Sequence, residues 1–290
     1  MATEVHPSGA DGTSLLPHMS TLAREALMRT IVRVRPSVQA ADIPALQDAY
    51  GKMQARSEND NRGWIYWAEF HGYNRYDCWH HSRVAQTTFP YDLFLPWHRA
   101  YLLYWEETAR DWNGRAVLPW WDWTTALSHQ EGIPASFRQS KVLASGPVPS
   151  GFRTNPPRTR RQPGAPSQLP TRQTINSILA LTSFVDFSNQ LQDVHDMVHG
   201  WTGGDMGTIA ASAFDPIFWS HHCMIDRVWY LWQLRHGVDN VPPSYLERTL
   251  APWDLKVKDV LDTRRLGYEY GTSRIVLPAT SFRATELVRS

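Results

Sequence analysis

Cysteine is almost absent from this chain. Cys78 and Cys223 are the two among 290 residues, enough for one disulfide at most and too few for a disulfide framework, and this scarcity fits a reducing compartment. An excess of charge is also missing: 29 basic against 28 acidic side chains give a formal net charge of +1. No global field therefore draws the protein to nucleic acid or to a membrane surface, and a small molecule is the expected partner. No apolar run approaches the roughly 18 residues that span a bilayer, and the opening MATEVHPSGADGTSLLPHM has no basic start followed by an apolar stretch. The expected location is cytoplasmic. Strand signals are sparse, and no internal repeat is evident.

What the chain does have is helical periodicity and many aromatic rings, with 14 Trp and 12 His. A first helix is predicted from Thr21 to Val34, ended by Arg35-Pro36, and a second from Ala41 to Ala55. Trp64 to His71 and Leu93 to Asp111 read as buried helices. A stretch rich in Pro, Ser, Gly and Gln from Thr124 to Thr174, carrying the basic run Arg158 to Arg161, reads as a long surface excursion. Helix is predicted again from Ile175 through His199, and from Phe218 to Leu234. The expected fold is mainly α: a single domain over 1–290, with its core at about 33–270, built on a central antiparallel four-helix bundle with long irregular loops.

The histidines fall into two groups. His195 and His199 stand four apart in VHDMVHG, so on a helix they point the same way. His222, in DPIFWSHHCMIDRVW, can join them from another helix. Three neutral imidazoles without a thiolate pair suit copper, zinc or iron. Upstream, FLPWHRAYLLYWE carries His98, and before it stand His71 and the pair His80 and His81 in CWHH. Two trios suggest two ions. His6, His18, His129 and His236 read as ordinary core or surface residues.

Two of these stretches match long signatures, F-L-P-W-H-R-x-x-L-x-x-x-E at Phe94 to Glu106 and D-P-x-F-W-x-x-H-x-x-x-D at Asp215 to Asp226. In them the chain resembles the type 3 copper proteins: tyrosinases, catechol oxidases, o-aminophenol oxidases and molluscan haemocyanins. The resemblance reaches to Tyr268-Glu269-Tyr270, like the motif that closes the family's catalytic domain, and no C-terminal lid domain is expected beyond it. It implies two copper ions per chain with O2 as co-substrate, the bundle holding one ion on His71, His80 and His98 and the other on His195, His199 and His222. His221 would stand beside the second ion. His80 is preferred to His81 because Cys78-Trp79-His80 resembles a Cys-x-His in which the thiol is cross-linked to the imidazole; a thioether from Cys78 to His80 or a free buried Cys78 are the two options. His80 and His98 lie farther apart than in the family, as an insertion over about Ser82 to Tyr91 would explain.

The activity implied is oxidation of o-diphenols or o-aminophenols to o-quinone-type products, with monophenol hydroxylation as an addition. Tyrosinase proper and haemocyanin-like oxygen binding are the alternatives. By the same resemblance, Asp196, directly after His195, and Asp186, nine residues before it, hold the water that deprotonates a phenol; the other option for Asp186 is an ordinary surface acid. Asn is more common at the position of Asp196 in strong monophenol hydroxylases. Gly200, Met206 and Ile209 are expected to govern substrate access. Asp226 either orients an imidazole or pairs with Arg227 or Arg99. A copper-delivery partner protein, with which the chain would leave the cell, is a further implication.

Overall fold

The structure, a computed structural model, describes residues 32–73, 93–153 and 155–271. Its long elements are helices: α1 Ile43–Gln54, α2 Trp64–Ala68, α3 Phe94–Trp112, α4 Arg172–Leu179, α5 Phe184–Thr202 and α6 Pro216–His236. No helix among the described residues is long and apolar enough to cross a membrane.

Local sequence explains where α5 and α6 begin and end. The Ser183 hydroxyl accepts from Asp186 N to cap α5, which stops at Gly203 with φ of 62°. The Asp215 carboxylate accepts from Ile217 N at the start of α6, Pro216 occupies the first turn, and Gly237 with φ of 104° follows the last. Helix α6 runs antiparallel to both α3 and α5. Along one flank His98 faces His222 and Tyr101 faces Trp219; along the other Phe187 faces Trp232 and His199 faces Phe218. Nearly every residue of α6 from Pro216 to Trp229 is buried, as expected of a helix enclosed on all sides.

Three expectations need correction. Arg33–Arg35 is not the end of a helix but a strand, β1, paired in parallel with β2, Tyr268–Tyr270. Pro36 disfavours helix at Arg35, and the Tyr-Glu-Tyr segment offers a partner. Residues 21–31 of that predicted helix lie outside the described residues. The stretch from Ile175 to His199 is two helices rather than one, interrupted between Leu179 and Phe184.

Nor is the 124–174 excursion a solvated loop. It forms short helices at Ala126–Glu131, Ser136–Gln139 and Lys141–Ala144 and buries Ile133, Phe137, Leu143, Val148 and Leu169. Its basic run binds inward: Arg161 grips Asp215 through Nε at 2.9 Å and donates to the carbonyls of Phe137 and Leu143, while Arg158 donates to Ser145 and Gln54.

Candidate metal centre

Helices α3, α5 and α6 and the turn after α2 bring six buried imidazoles together. A ring nitrogen from each of His71, His98 and His222 lies within 4.8 Å of the others, and the same holds for His195, His199 and His221. His222 stands between the groups: its Nε2 is 3.1 Å from Nε2 of His195 and 3.2 Å from Nε2 of His199. By proximity His221 rather than His222 completes the group of His195 and His199, while the Nε2 contacts of His222 also place it against both of those rings. His80, His81 and Cys78, and with them the thioether and the insertion, lie outside the described residues.

In four of the rings a hydrogen bond fixes which nitrogen faces inward. Nδ1 of His98 donates to Phe94 O at 2.9 Å, Nδ1 of His199 to Met206 O at 2.7 Å, and Nδ1 of His71 to Ile209 O at 3.1 Å. Nδ1 of His195 donates to Asp196 Oδ1 at 2.9 Å. With the proton held on Nδ1, the lone pair is on Nε2. Two such lone pairs, from His195 and His199, are aimed at His222 Nε2. A proton on His222 could satisfy one of these contacts and not both, whereas a metal ion satisfies both. The buried nitrogens therefore fit a cation.

His221 is different. The indole Nε1 of Trp123 can only donate, and it points at His221 Nδ1 at 3.2 Å. That makes Nδ1 the acceptor and puts the proton of the neutral ring on Nε2, leaving no lone pair for an ion.

Protonation state suits ligation as well. Burial, helped by His199, pushes the His71 ring down to about 3, and burial pushes His199 down to about 4. Burial and neighbouring imidazoles hold His98, His221 and His222 well below the ordinary range. All five are neutral near pH 7, the form that binds metals. Aromatic rings close over them: Phe218 lies 4.1 Å from His222 and 4.7 Å from His71, centroid to centroid, and Phe94 lies 4.9 Å from His195.

The carboxylates are distributed less simply. Asp196 is half exposed and touches His195. Asp186 is exposed in the first turn of α5 and is not brought to the histidines. Nine residues of unbroken helix are two and a half turns, so it faces away from His195. Asp226 orients no imidazole. It accepts from Arg99 Nε at 2.6 Å, Tyr268 at 2.7 Å and Tyr270 at 2.6 Å, with Arg35 at 3.4 Å, which settles its role in favour of pairing with Arg99. Burial pushes its carboxyl up, but Arg99, Arg35 and the two phenols more than offset this and hold it below the ordinary value. Glu106, the last residue of the first signature, is held in the same way by Arg35 at 2.9 Å and Leu118 N at 2.8 Å. Ile209 is 53% exposed, while the Met206 side chain is buried. Met206 therefore serves the centre with its carbonyl rather than by lining an entrance.

The sequence profile of the tyrosinase family, described as the common central domain of tyrosinase, matches residues 61–157 and, overlapping them, 145–235. The chain belongs to the tyrosinase family. A tyrosinase of Streptomyces lincolnensis is 32% identical over 207 residues, covering 58% of this chain and 76% of that protein. Among solved structures, a functional unit of octopus hemocyanin superimposes with a TM-score of 0.69 at 24% identity, over 83% of this chain and 68% of that one. A tyrosinase from Burkholderia thailandensis gives 0.69 at 20% identity, over 84% and 74%. The mainly helical fold is theirs, and the cofactor of this type 3 copper family is a pair of copper ions.

The carbonyls of Met206 and Ile209 and the indole of Trp123 escape sequence reasoning. Backbone acceptors leave no side-chain signal, and Trp123 is one of many tryptophans.

Proposed function

We propose that the chain is an oxidoreductase that uses O2 to oxidise o-diphenols or o-aminophenols to o-quinone-type products, with monophenol hydroxylation as a lesser activity. The observation that carries this reading is the convergence of buried imidazoles in two groups on a tyrosinase-family core. When bound, a copper pair supplies the two-electron exchange with dioxygen, and two diphenols yield two quinones and two waters per O2. In this reading His71, His80 and His98 hold one ion and His195, His199 and His222 the other.

The remaining work falls to the chain. Bonds from Nδ1 to Phe94, Met206, Ile209 and Asp196 hold the rings in place, and Phe94 and Phe218 keep water from them. Asp196, half exposed beside His195, is the group we assign to take up the phenol proton, directly or through a water. Asp186 has no part in this version. Gly200 is exposed, and a Cβ there would meet no atom within 4 Å; together with the exposed Ile209 it is the place we assign to substrate entry.

Oxygen carriage is the second reading, because a hemocyanin unit superimposes as well as a tyrosinase does. Exposure of the copper-loaded protein to air with and without a catechol separates the two. Rapid quinone formation supports the oxidase. An oxygenated spectrum that persists without turnover would replace it with carriage.

A further inference from the structure

One short segment after α5 serves both groups of histidines. Met206 O receives the Nδ1 proton of His199 at 2.7 Å, and Ile209 O receives that of His71 at 3.1 Å, with Ser212 Oγ 3.2 Å from the same nitrogen. Residues 203–212 thus aim one imidazole of each group.

The segment is itself held from outside. Gly203 and Gly204 adopt φ of 62° and 59°, and a Cβ on them would lie 2.4 Å from Gln162 O and 2.2 Å from Arg160 O, so the chain at 160–162 presses directly on this turn. Gln162 N and Gly164 N donate to the carbonyls of Thr202 and Trp201 at 3.0 and 2.8 Å. Asp205 locks the two together. Its carboxylate, 9% exposed, accepts from Arg160 N at 2.6 Å, from Arg153 Nη1 at 2.9 Å and from Arg153 Nη2; its own N donates to Arg160 O at 2.9 Å, and its carbonyl accepts from Thr208 N at 3.1 Å. Charge-assisted bonds of this kind are the strong ones, and they sit one residue before Met206 and four before Ile209.

We propose that Asp205, clamped by Arg153 and Arg160, is a positioning residue for both metal ions. It acts through the carbonyls of Met206 and Ile209 and ties the aim of His199 to the aim of His71. This rests on the two-copper reading of the histidines but not on the phenol reaction. His98 supplies an internal control, because its acceptor, Phe94 O, lies in its own helix.

The test is nitrogen-15 imidazole NMR of the metal-free full chain, followed by zinc titration. Asp205→Ala is expected to move the Nδ1–H signals of both His71 and His199 and leave that of His98 in place. It should weaken zinc binding at both positions by up to about 10-fold, the low end of the cost of losing a ligand's direct hydrogen-bond partner, because the two carbonyls remain but are no longer held. Asp205→Asn, which still accepts from Arg160 N, should do the same to a smaller extent. If Asp205→Ala does not fold, Arg153→Gln carries the same expectation. Unmoved signals for His71 and His199 in a folded variant would overturn the proposal. So would movement of His199 alone, or an equal movement of His98. A failure of the oxidase reading would appear instead as absent quinone formation with these signals as expected.

Discussion

Arg99 donates from Nε to Asp226 at 2.6 Å, joining α3 to α6 one residue past His98 and one turn past His222, whose rings stack 4.5 Å apart. The pair is buried. Arg99 also donates to Gln233 and to the carbonyls of Val260 and Leu261, and it lies 3.6 Å over the Trp229 ring. Asp226→Asn removes the charge that two buried guanidinium groups face. Its expected cost is about 3–5 kcal/mol of unfolding free energy, read by denaturant unfolding of the metal-free protein. A loss under about 1 kcal/mol, the range of exposed ion pairs, would contradict this account.

Stability of the metal-free protein should fall on mild acidification. Unfolded, each ring titrates near about 6.5; folded, His71 stays neutral down to about 3 and His199 down to about 4. Below about pH 6.5 the unfolded chain takes up protons that the folded chain refuses. Each such ring therefore removes about 1.4 kcal/mol per pH unit until its folded value is reached. Asp226, whose carboxyl is held below its ordinary value, adds a further loss only at lower pH. Denaturant midpoints measured from neutral pH down to about pH 5 check the slope, and a flat profile would refute it.

Metal analysis distinguishes the neighbouring imidazoles of α6. The protein should hold about two coppers per chain, His222→Ala should lose copper, and His221→Gln should keep it, because Trp123 occupies the Nδ1 of His221. Copper lost from the His221 variant and kept by the His222 variant would reverse the assignment. One zinc and no copper would remove the basis of the proposed reaction.

Asp196→Asn should raise the ratio of monophenol to diphenol turnover, measured side by side on one phenol and its catechol. The amide keeps the contact with His195 while changing how a water is held beside it. An unchanged ratio would leave Asp196 as no more than the hydrogen-bond partner of His195.

The helices that bear the histidines were legible because their sequences are punctuated. Asp215-Pro216 and Gly237 bracket α6 to within two residues of the periodicity estimate, and Gly203 stops α5. The spacing of His195 and His199 and the two long signatures then place the centre. Other features left no such mark. The three residues of β1 find their partner across the whole described chain. Arg158 and Arg161 look like solvent-facing charges until Gln54 and Asp215 are seen beside them. Asp186 stands nine residues before His195, and an unbroken α5 turns it away. The acceptors for His71 and His199 are carbonyls, which any residue type could supply.

The parallel pairing of Arg33–Arg35 with Tyr268–Tyr270 also sets an order of events during synthesis. His222 leaves the ribosome well before the two tyrosines that complete the surroundings of Asp226. Until they arrive, Asp226 has Arg99 and Arg35 but neither phenol. The buried cluster that ties α3 to α6 is thereby completed only once residues 268–270 have been made.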